Sequence, residues 1–221
     1  MKGLVIFGAS TLAKLAHYYA TRDLGLDVQG FVVDEQYQTE DKFLSLPVFN
    51  WSEFSMKHSP ENVFIYVAIG YRIMRARAAA YAMVKDAGYE MINIVSRSSY
   101  VADDVTLGEN NFIMPGAVLE TGVSLASNNV VWSNTTICHD SVIGDHNFLA
   151  ANTTVGGGVS IGNGNFLGFS SVIMQGQKIG NETLIGAQSL VRCDTENLNQ
   201  YHGSPAIFVG PINHDLGIRI K

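Results

Sequence analysis

The stretch Leu149–Ile173, LAANTTVGGGVSIGNGNFLGFSSVI, puts an aliphatic residue at every sixth position: Leu149, Val155, Ile161, Leu167 and Ile173. The same step reaches back through Ile143, Ile137, Val131, Leu125, Leu119, Ile113 and Leu107 to Val101, and forward through Ile179 and Ile185 to Val191. Val, Leu and Ile fill roughly a fifth to a quarter of positions in an average chain, so this unbroken series is a structural period and not an accident of composition. The next position is usually small, as at Gly108, Gly144, Gly156, Gly162, Gly168, Gly180 and Gly186, or at Ala102, Ala126 and Ala150. A short flat strand pointing one aliphatic side chain inward, then a tight corner that only a small residue fits, satisfies both rules. Three such strands make one triangular coil. Fifteen hexads from Val101 to Leu190, with no insertion, make five coils of a parallel β-helix.

The first 95 or so residues keep another rhythm. Leu4 to Phe7 reads as a buried strand ending in Gly8-Ala9-Ser10, after which Leu12, Leu15, Ala16 and Tyr19 recur at helical spacing. Val28 to Val33 is a second strand closed by Asp34, and Val63 to Ile69 is a third ending at Gly70. A helix follows from about Ile73 to Lys85 with Gly88 as its stop, and Ile92 to Val95 reads as a last strand. Alternating strands and helices imply a small parallel α/β sheet, whose ligands bind at the carboxyl ends of the strands. Here those ends are Gly8 to Thr11, Asp34 and Gly70 to Tyr71. GASTLA lacks the second and third glycines of a dinucleotide fingerprint, so two readings stand: nucleotide contact, or a plain turn with Ser10 or Thr11 capping the helix. The expected division is 1–96 for the α/β domain, 97–206 for the β-helix and 207–221 for a C-terminal tail.

Bulk composition narrows the function. A net charge of -6 argues against nucleic-acid binding, which needs basic surface to displace counterions. The start MKGLVIFGAS lacks the order of a signal peptide, and no apolar run reaches the roughly 18 residues of a membrane span, so a cytoplasmic protein is expected. Cys138 and Cys193 show neither disulfide nor metal spacing and read as reduced packing residues.

Two of the six histidines, His139 and His146, fall in the β-helix. His139 is the third residue of the hexad Ile137-Cys138-His139-Asp140-Ser141-Val142, past the inward position and near a corner where it can face another subunit. Neutral imidazole is the natural base for an amine or hydroxyl near neutral pH, and a carboxylate can fix its tautomer. Asp140 is next in sequence, yet adjacent strand residues point apart, so contact requires the corner geometry; the plain alternative is a surface histidine. His146 reads as a solvated corner residue. Gly156-Gly157-Gly158 either leaves N–H groups free for a ligand or makes successive tight corners. Basic residues for a polyanionic donor are few: Lys178, Arg192, Arg219 and Lys221.

With these residues in view, the chain resembles the sialic-acid O-acetyltransferase and bacillosamine N-acetyltransferase family of hexapeptide-repeat sugar acyltransferases. The likeness rests on GAS, Asp34 and AIG, on Ile137 to His146, and on Gly203-Ser204-Pro205-Ala206, and it spans nearly the whole chain. It implies an N-terminal Rossmann-like α/β domain followed by a left-handed parallel β-helix, a departure from the usual right-handed crossover. It also implies a homotrimer with sites between adjacent β-helices, acetyl-CoA as donor, no metal, and a nucleotide-linked sugar held at Gly8, Ser10, Asp34, Gly70 and Tyr71. His139 would be the general base with Asp140 as its acidic partner, and the Gly157 amide would stabilise the oxyanion. Gly168, Phe169, Gly186 and Ala187 would line the pantetheine arm, with Arg192 toward the phosphates.

The chain departs from the family where Phe148 replaces a second histidine, where Thr11-Leu12-Ala13 follows GAS, and where Tyr71 replaces a small polar residue. Two competing readings are a trimeric nucleotide-binding scaffold without catalysis and a β-helix carbonic anhydrase. The latter needs three zinc-binding histidines, for which the spacing provides no pattern.

Overall fold

In the computed structural model, which describes residues 2–220, the N-terminal aliphatic run forms β1 (Gly3–Phe7), buried along its whole length. It lies between parallel neighbours β2 (Val28–Val33) and β5 (Val63–Val67), so both of its faces must be apolar. With β3 (Lys42–Phe43), β4 (Leu46–Asn50) and β6 (Glu90–Met91) the sheet order is β3-β4-β2-β1-β5-β6. Helices α1 (Thr11–Tyr18), α2 (Trp51–Lys57) and α3 (Met74–Asp86) complete the topology. Val5, Phe7, Val32, Ile65 and Val67 lie in one core cluster with Phe54 of α2 and Val84 of α3.

Two units divide the chain. One runs up to Gly70 and takes in Ala76–Ile94; the other comprises Tyr71–Arg75 and everything from Val95. The expected strand Ile92–Val95 is corrected to two short strands. Glu90–Met91 pairs with β5, whereas Ile94–Val95 opens a different sheet, and the run breaks where the chain changes sheets. The hairpin of β3 and β4 and helix α2 went unread in the sequence. Their turn, Leu44-Ser45, takes left-handed backbone (φ 49° and 67°) without the Gly or Asn that signals such a turn.

The second unit is a left-handed parallel β-helix. Each hexad contributes a two-residue strand, and strands pair at a constant offset of one coil: Phe112 with Val130, Val130 with Phe148, Phe148 with Phe166, Phe166 with Leu184. Three parallel sheets form the three faces. Every aliphatic residue of the series from Ile113 to Val191 is buried, and together they form one continuous core that Val101 and Leu107 join at its start.

The corners have a different physical basis from the one expected. The glycines after the aliphatic position do not take left-handed backbone; a Cβ on Gly168 would lie 2.5 Å from the Ala187 nitrogen, and one on Gly156 2.6 Å from that of Gln175. It is the next coil that excludes a side chain there. Left-handed backbone falls two residues later, where Asn128, Asn134 and Asp140 have φ near 58–59°. Asn and Asp tolerate that region because their short polar side chains bond locally.

One edge of the solenoid is sealed by side-chain ladders. Buried Asn111, Asn129, Asn147 and Asn165 each accept, through Oδ1, the backbone N–H of the residue one coil on, at 2.6–2.9 Å. Asn163 and Asn181 run a second ladder the other way, accepting from Asp145 N and Asn163 N at 2.7 Å.

After Val191 the coil shortens by two residues, so Leu184 pairs with Gln200. Asn199–His202 then pairs antiparallel with Ile207–Pro211. The chain beyond bridges Arg219 to Ile73, and the Arg75 guanidinium grips both Glu182 carboxylate oxygens (2.8 and 2.9 Å) and the carbonyls of His214 and Asp215. Lys221 lies outside the described residues.

Candidate active site

His139 and Asp140 form the turn that follows the strand Thr136–Ile137. Asp140 takes left-handed backbone (φ 59°), which swings its carboxylate back toward its neighbour instead of to the opposite side. The result is a hydrogen bond between His139 Nδ1 and Asp140 Oδ2 at 2.9 Å, the contact that a regular strand would forbid. With Asp140 as the acceptor, Nδ1 carries the proton and Nε2 presents its lone pair.

The free face of the imidazole lies over Gly157, one coil on. A Cβ at that glycine would stand 2.6 Å from both Nε2 and Cε1 of His139, so only glycine fits beneath the ring. Gly158, with φ +65°, donates its N–H to the His139 carbonyl at 2.9 Å. Among the described residues no acceptor takes the Gly157 N–H. Asp140 and His139 side chains are 74% and 54% exposed in the single chain, enough for either to meet a ligand or another copy.

The hydrogen bond that His139 donates to Asp140 holds the His139 pKa above the ordinary histidine value; desolvation opposes it, and the negative charges of Asp140 and Glu120 add to it. Burial pushes the adjacent Cys138 thiol up, with help from Glu120, so it is not primed as a thiolate nucleophile. Glu120 escaped the sequence reading. Its Oε2 accepts the His139 backbone N–H at 2.9 Å from one coil below, and the only signal for it was the 18-residue pitch.

Gly168, Phe169, Gly186 and Ala187 come together on another edge, where the backbones at Gly168 and Ala187 stack closely and the Phe169 ring is 52% exposed. Arg192 and Lys178 are exposed. His146 sits at a third edge with Nδ1 2.9 Å from Asn128 Nδ2. Among the described residues no group of three His, Cys, Asp or Glu is placed to hold a metal, and no helix is long and apolar enough to cross a membrane.

In the α/β unit, Gly8 and Asp34 end the adjacent strands β1 and β2. Gly8 has φ +123°, and a Cβ there would meet the Ala68 carbonyl oxygen at 2.9 Å. Ser10 stands at the N-cap of α1, but its side chain makes no capping bond, unlike Asn50, which caps α2 through Glu53 N. Asp34, Glu35 and Gln36 line an open hollow. Gly70 ends the first of the two segments of this unit. Tyr71 belongs to the other one, where its ring packs on Phe148 (4.7 Å) and Phe166 (5.6 Å) in a row that continues to Trp132. Tyr71 and Phe148, two of the three departures noted in the sequence, are thus in contact.

Residues 104–139 and 140–175 match the bacterial transferase hexapeptide (six repeats). No curated protein matches the chain by sequence. Among solved structures, PerB from Caulobacter crescentus, in complex with CoA and GDP-perosamine, is 26% identical over 95% of this chain and 98% of its own, with a TM-score of 0.86. The acetyltransferase domain of PglB from Neisseria gonorrhoeae, in complex with acetyl coenzyme A, is 22% identical over 94% and 99%, with a TM-score of 0.85. AntD, an N-acyltransferase from Bacillus cereus in complex with dTDP and 3-hydroxybutyryl-CoA, shares the fold more distantly: 15% identity over 61% and 89%, TM-score 0.53. Repeat and fold together are those of hexapeptide-repeat transferases. More narrowly, the chain is similar to the hexapeptide-repeat sugar acyltransferases.

Proposed function

We propose that the enzyme moves an acetyl or other short acyl group from acyl-CoA to an amine or hydroxyl of a nucleotide-linked sugar for glycan synthesis, with His139 as general base. The observation that carries this reading is the His139 imidazole, bonded to Asp140 through one nitrogen and presenting the other above a glycine whose N–H is uncommitted. The likeness to PerB, whose complex holds CoA and GDP-perosamine, supports the donor and acceptor classes.

The donor supplies a carbonyl activated by its thioester and a thiolate leaving group. Nε2 of His139 takes the proton from the acceptor as the acceptor's nitrogen or oxygen bonds to that carbonyl. Asp140 stabilises the imidazolium so formed and fixes the tautomer that can act. The Gly157 N–H is placed to bond the oxygen as it gains negative charge. When the carbon–sulfur bond breaks, His139 returns its proton to the departing thiolate.

Gly168, Phe169, Gly186 and Ala187 suit the pantetheine arm because close-packed corners present backbone and an exposed ring without intervening side chains. Arg192 supplies positive charge for the phosphates. These residues and His139 stand on different edges, so an arm bound along one helix reaches the base of another copy. A homotrimer provides that arrangement three times. For the nucleotide we assign Gly8, Ser10, Asp34 and Gly70, supported by the uncommitted Ser10 hydroxyl and the hollow beside Asp34. Tyr71 is assigned to the acceptor side through its packing on Phe148. The domain limits remain 1–96, 97–206 and 207–221, and the cytoplasm, where acyl-CoA and nucleotide sugars are made, is the proposed location.

Incubating the protein with acetyl-CoA and a panel of nucleotide-linked amino and neutral sugars, with release of free thiol as readout, tests the reading. Thiol release that depends on one sugar and disappears in His139→Asn is expected. Sugar-independent release, or none with any member, argues for a non-catalytic role.

A further inference from the structure

We infer that Glu120 is a positioning residue for His139: by accepting the His139 backbone N–H, its carboxylate fixes the corner that carries the imidazole and keeps a second negative charge beside it. This rests on the reading of His139 as the base. Three backbone groups set the placement of that corner. The Asp140 N–H donates to the Thr121 carbonyl at 3.1 Å, the His139 carbonyl accepts from Gly158 N at 2.9 Å, and the His139 N–H donates to Glu120 Oε2 at 2.9 Å. Two of these are backbone bonds that any coil could make. The third is supplied by a side chain and is particular to this coil.

The bond is not a generic feature of the solenoid. The positions equivalent to His139 in neighbouring coils are Thr121, Gly157 and Gln175, and among the described residues none of their N–H groups has an acceptor. Equivalents of Glu120 are Ala102, Cys138, Gly156 and Met174, none of which carries a carboxylate. A long acidic side chain thus occurs on this edge one coil below the histidine and is committed to its backbone. Asparagine ladders elsewhere repeat from coil to coil, and carboxylates accept single backbone N–H groups at Gly122, Ser127 and Lys178; at the position of His139 in the coil such a bond occurs once, with Glu120 as acceptor.

The charges that face His139 are few. Asp140 comes from its own corner and Glu120 from the coil before. Asp104, a coil further back, is committed to Thr121 Oγ1 (2.6 Å) and Gly122 N (3.1 Å). The following coil presents Gly156, Gly157 and Gly158, which carry no charge, and the neighbouring Cys138 thiol is neutral. Both anions favour the imidazolium, in keeping with the raised His139 pKa. Glu120 therefore makes His139 a stronger base while holding it in place.

The test compares Glu120→Gln, which keeps an acceptor but loses the charge, with Glu120→Ala, which loses both, in the intact protein. The His139 ring is titrated by NMR, its signal assigned by its loss in His139→Asn, and pH–rate profiles are taken with acetyl-CoA and GDP-perosamine or whichever panel sugar is turned over. Glu120→Ala is expected to lower kcat roughly tenfold or more with little change in the KM for acetyl-CoA, as a misplaced base does. Glu120→Gln is expected to restore most of that loss while moving the ring titration, and the rising limb of the rate profile, to lower pH. Ring titrations in both variants that superimpose on the wild type would overturn the proposal. Failure of the base reading is separate: it appears as normal turnover in His139→Asn, whatever the ring titrations show.

Discussion

Two edges of one solenoid use the same coil differently. On the edge formed by 126–129, 144–147, 162–165 and 180–183, side-chain amides close the backbone coil after coil, with Asn129, Asn147 and Asn165 buried and Asn163 and Asn181 exposed. On the edge formed by 120–123, 138–141, 156–159 and 174–177, the N–H groups of Thr121, Gly157 and Gln175 stay open among the described residues, and glycine leaves room for a ring. Both edges hang on identical aliphatic strands, so the core does not distinguish them. What separates a structural edge from a chemical one is whether every backbone donor is consumed or some, such as the Gly157 N–H, are left open. An edge with its donors spent is stable and inert; an edge with donors spare can bind a developing charge.

The comparison predicts opposite consequences for substitutions on the two edges. The largest effect belongs to His139→Asn, which should lower kcat by about a hundredfold or more, the usual share of general base catalysis, with the unfolding midpoint unchanged. A variant that turns over normally would remove the distinction in function. Gly157→Ala comes next: the new Cβ would stand 2.6 Å from the imidazole and must push it aside, so a loss of roughly ten- to a hundredfold in kcat is expected with folding retained.

On the sealed edge, Asn147→Ala removes the acceptor for Asn165 N and the donor to the Gly144 carbonyl. Urea unfolding should show a loss of about 1–3 kcal/mol, the cost of leaving a buried donor unsatisfied, while the turnover of the folded fraction stays normal. A fall in turnover without a fall in stability would blur the two edges. Asp140→Asn has the smallest rate effect, because asparagine accepts left-handed backbone and still touches the ring. Its signature is in pH. The wild-type rate should rise with pH through the raised His139 pKa, since only the neutral ring is a base, and then level off. Without the Asp140 charge, the main cause of that rise is gone and the limb should move to lower pH.

The β-helix was legible because each inward residue declares itself. Leu149 or Ile161 is aliphatic whatever surrounds it, and a step of six finds them all. His139 with Asp140 was legible as a pair but not as a contact, because the left-handed turn at Asp140 has no sequence mark beyond a tolerant residue type. Asn111, Asn129, Asn147 and Asn165 recur every eighteen residues, a period that a step of six passes over. Glu120 needed the same pitch together with the knowledge that its side chain spans one coil. Tyr71 on Phe148 was out of reach, since nothing local pairs residues so far apart in sequence. Ser10 was placed correctly at a helix start, but whether its hydroxyl was spent there is a matter of side-chain rotation.

The constant register from Tyr100 through Val191 also sets the terms on which such a chain can change its length over evolutionary time. Adding or removing one residue would turn every later aliphatic side chain off the axis and unhook each ladder bond beyond it. Adding or removing eighteen would leave every strand, corner and asparagine facing a partner of its own kind. Lineages can thus lengthen or trim the solenoid in whole coils, like a thread cut in full turns. The two-residue shortening after Val191 falls where the winding gives way to the closing hairpin, at the one end where a fraction of a turn disrupts nothing downstream.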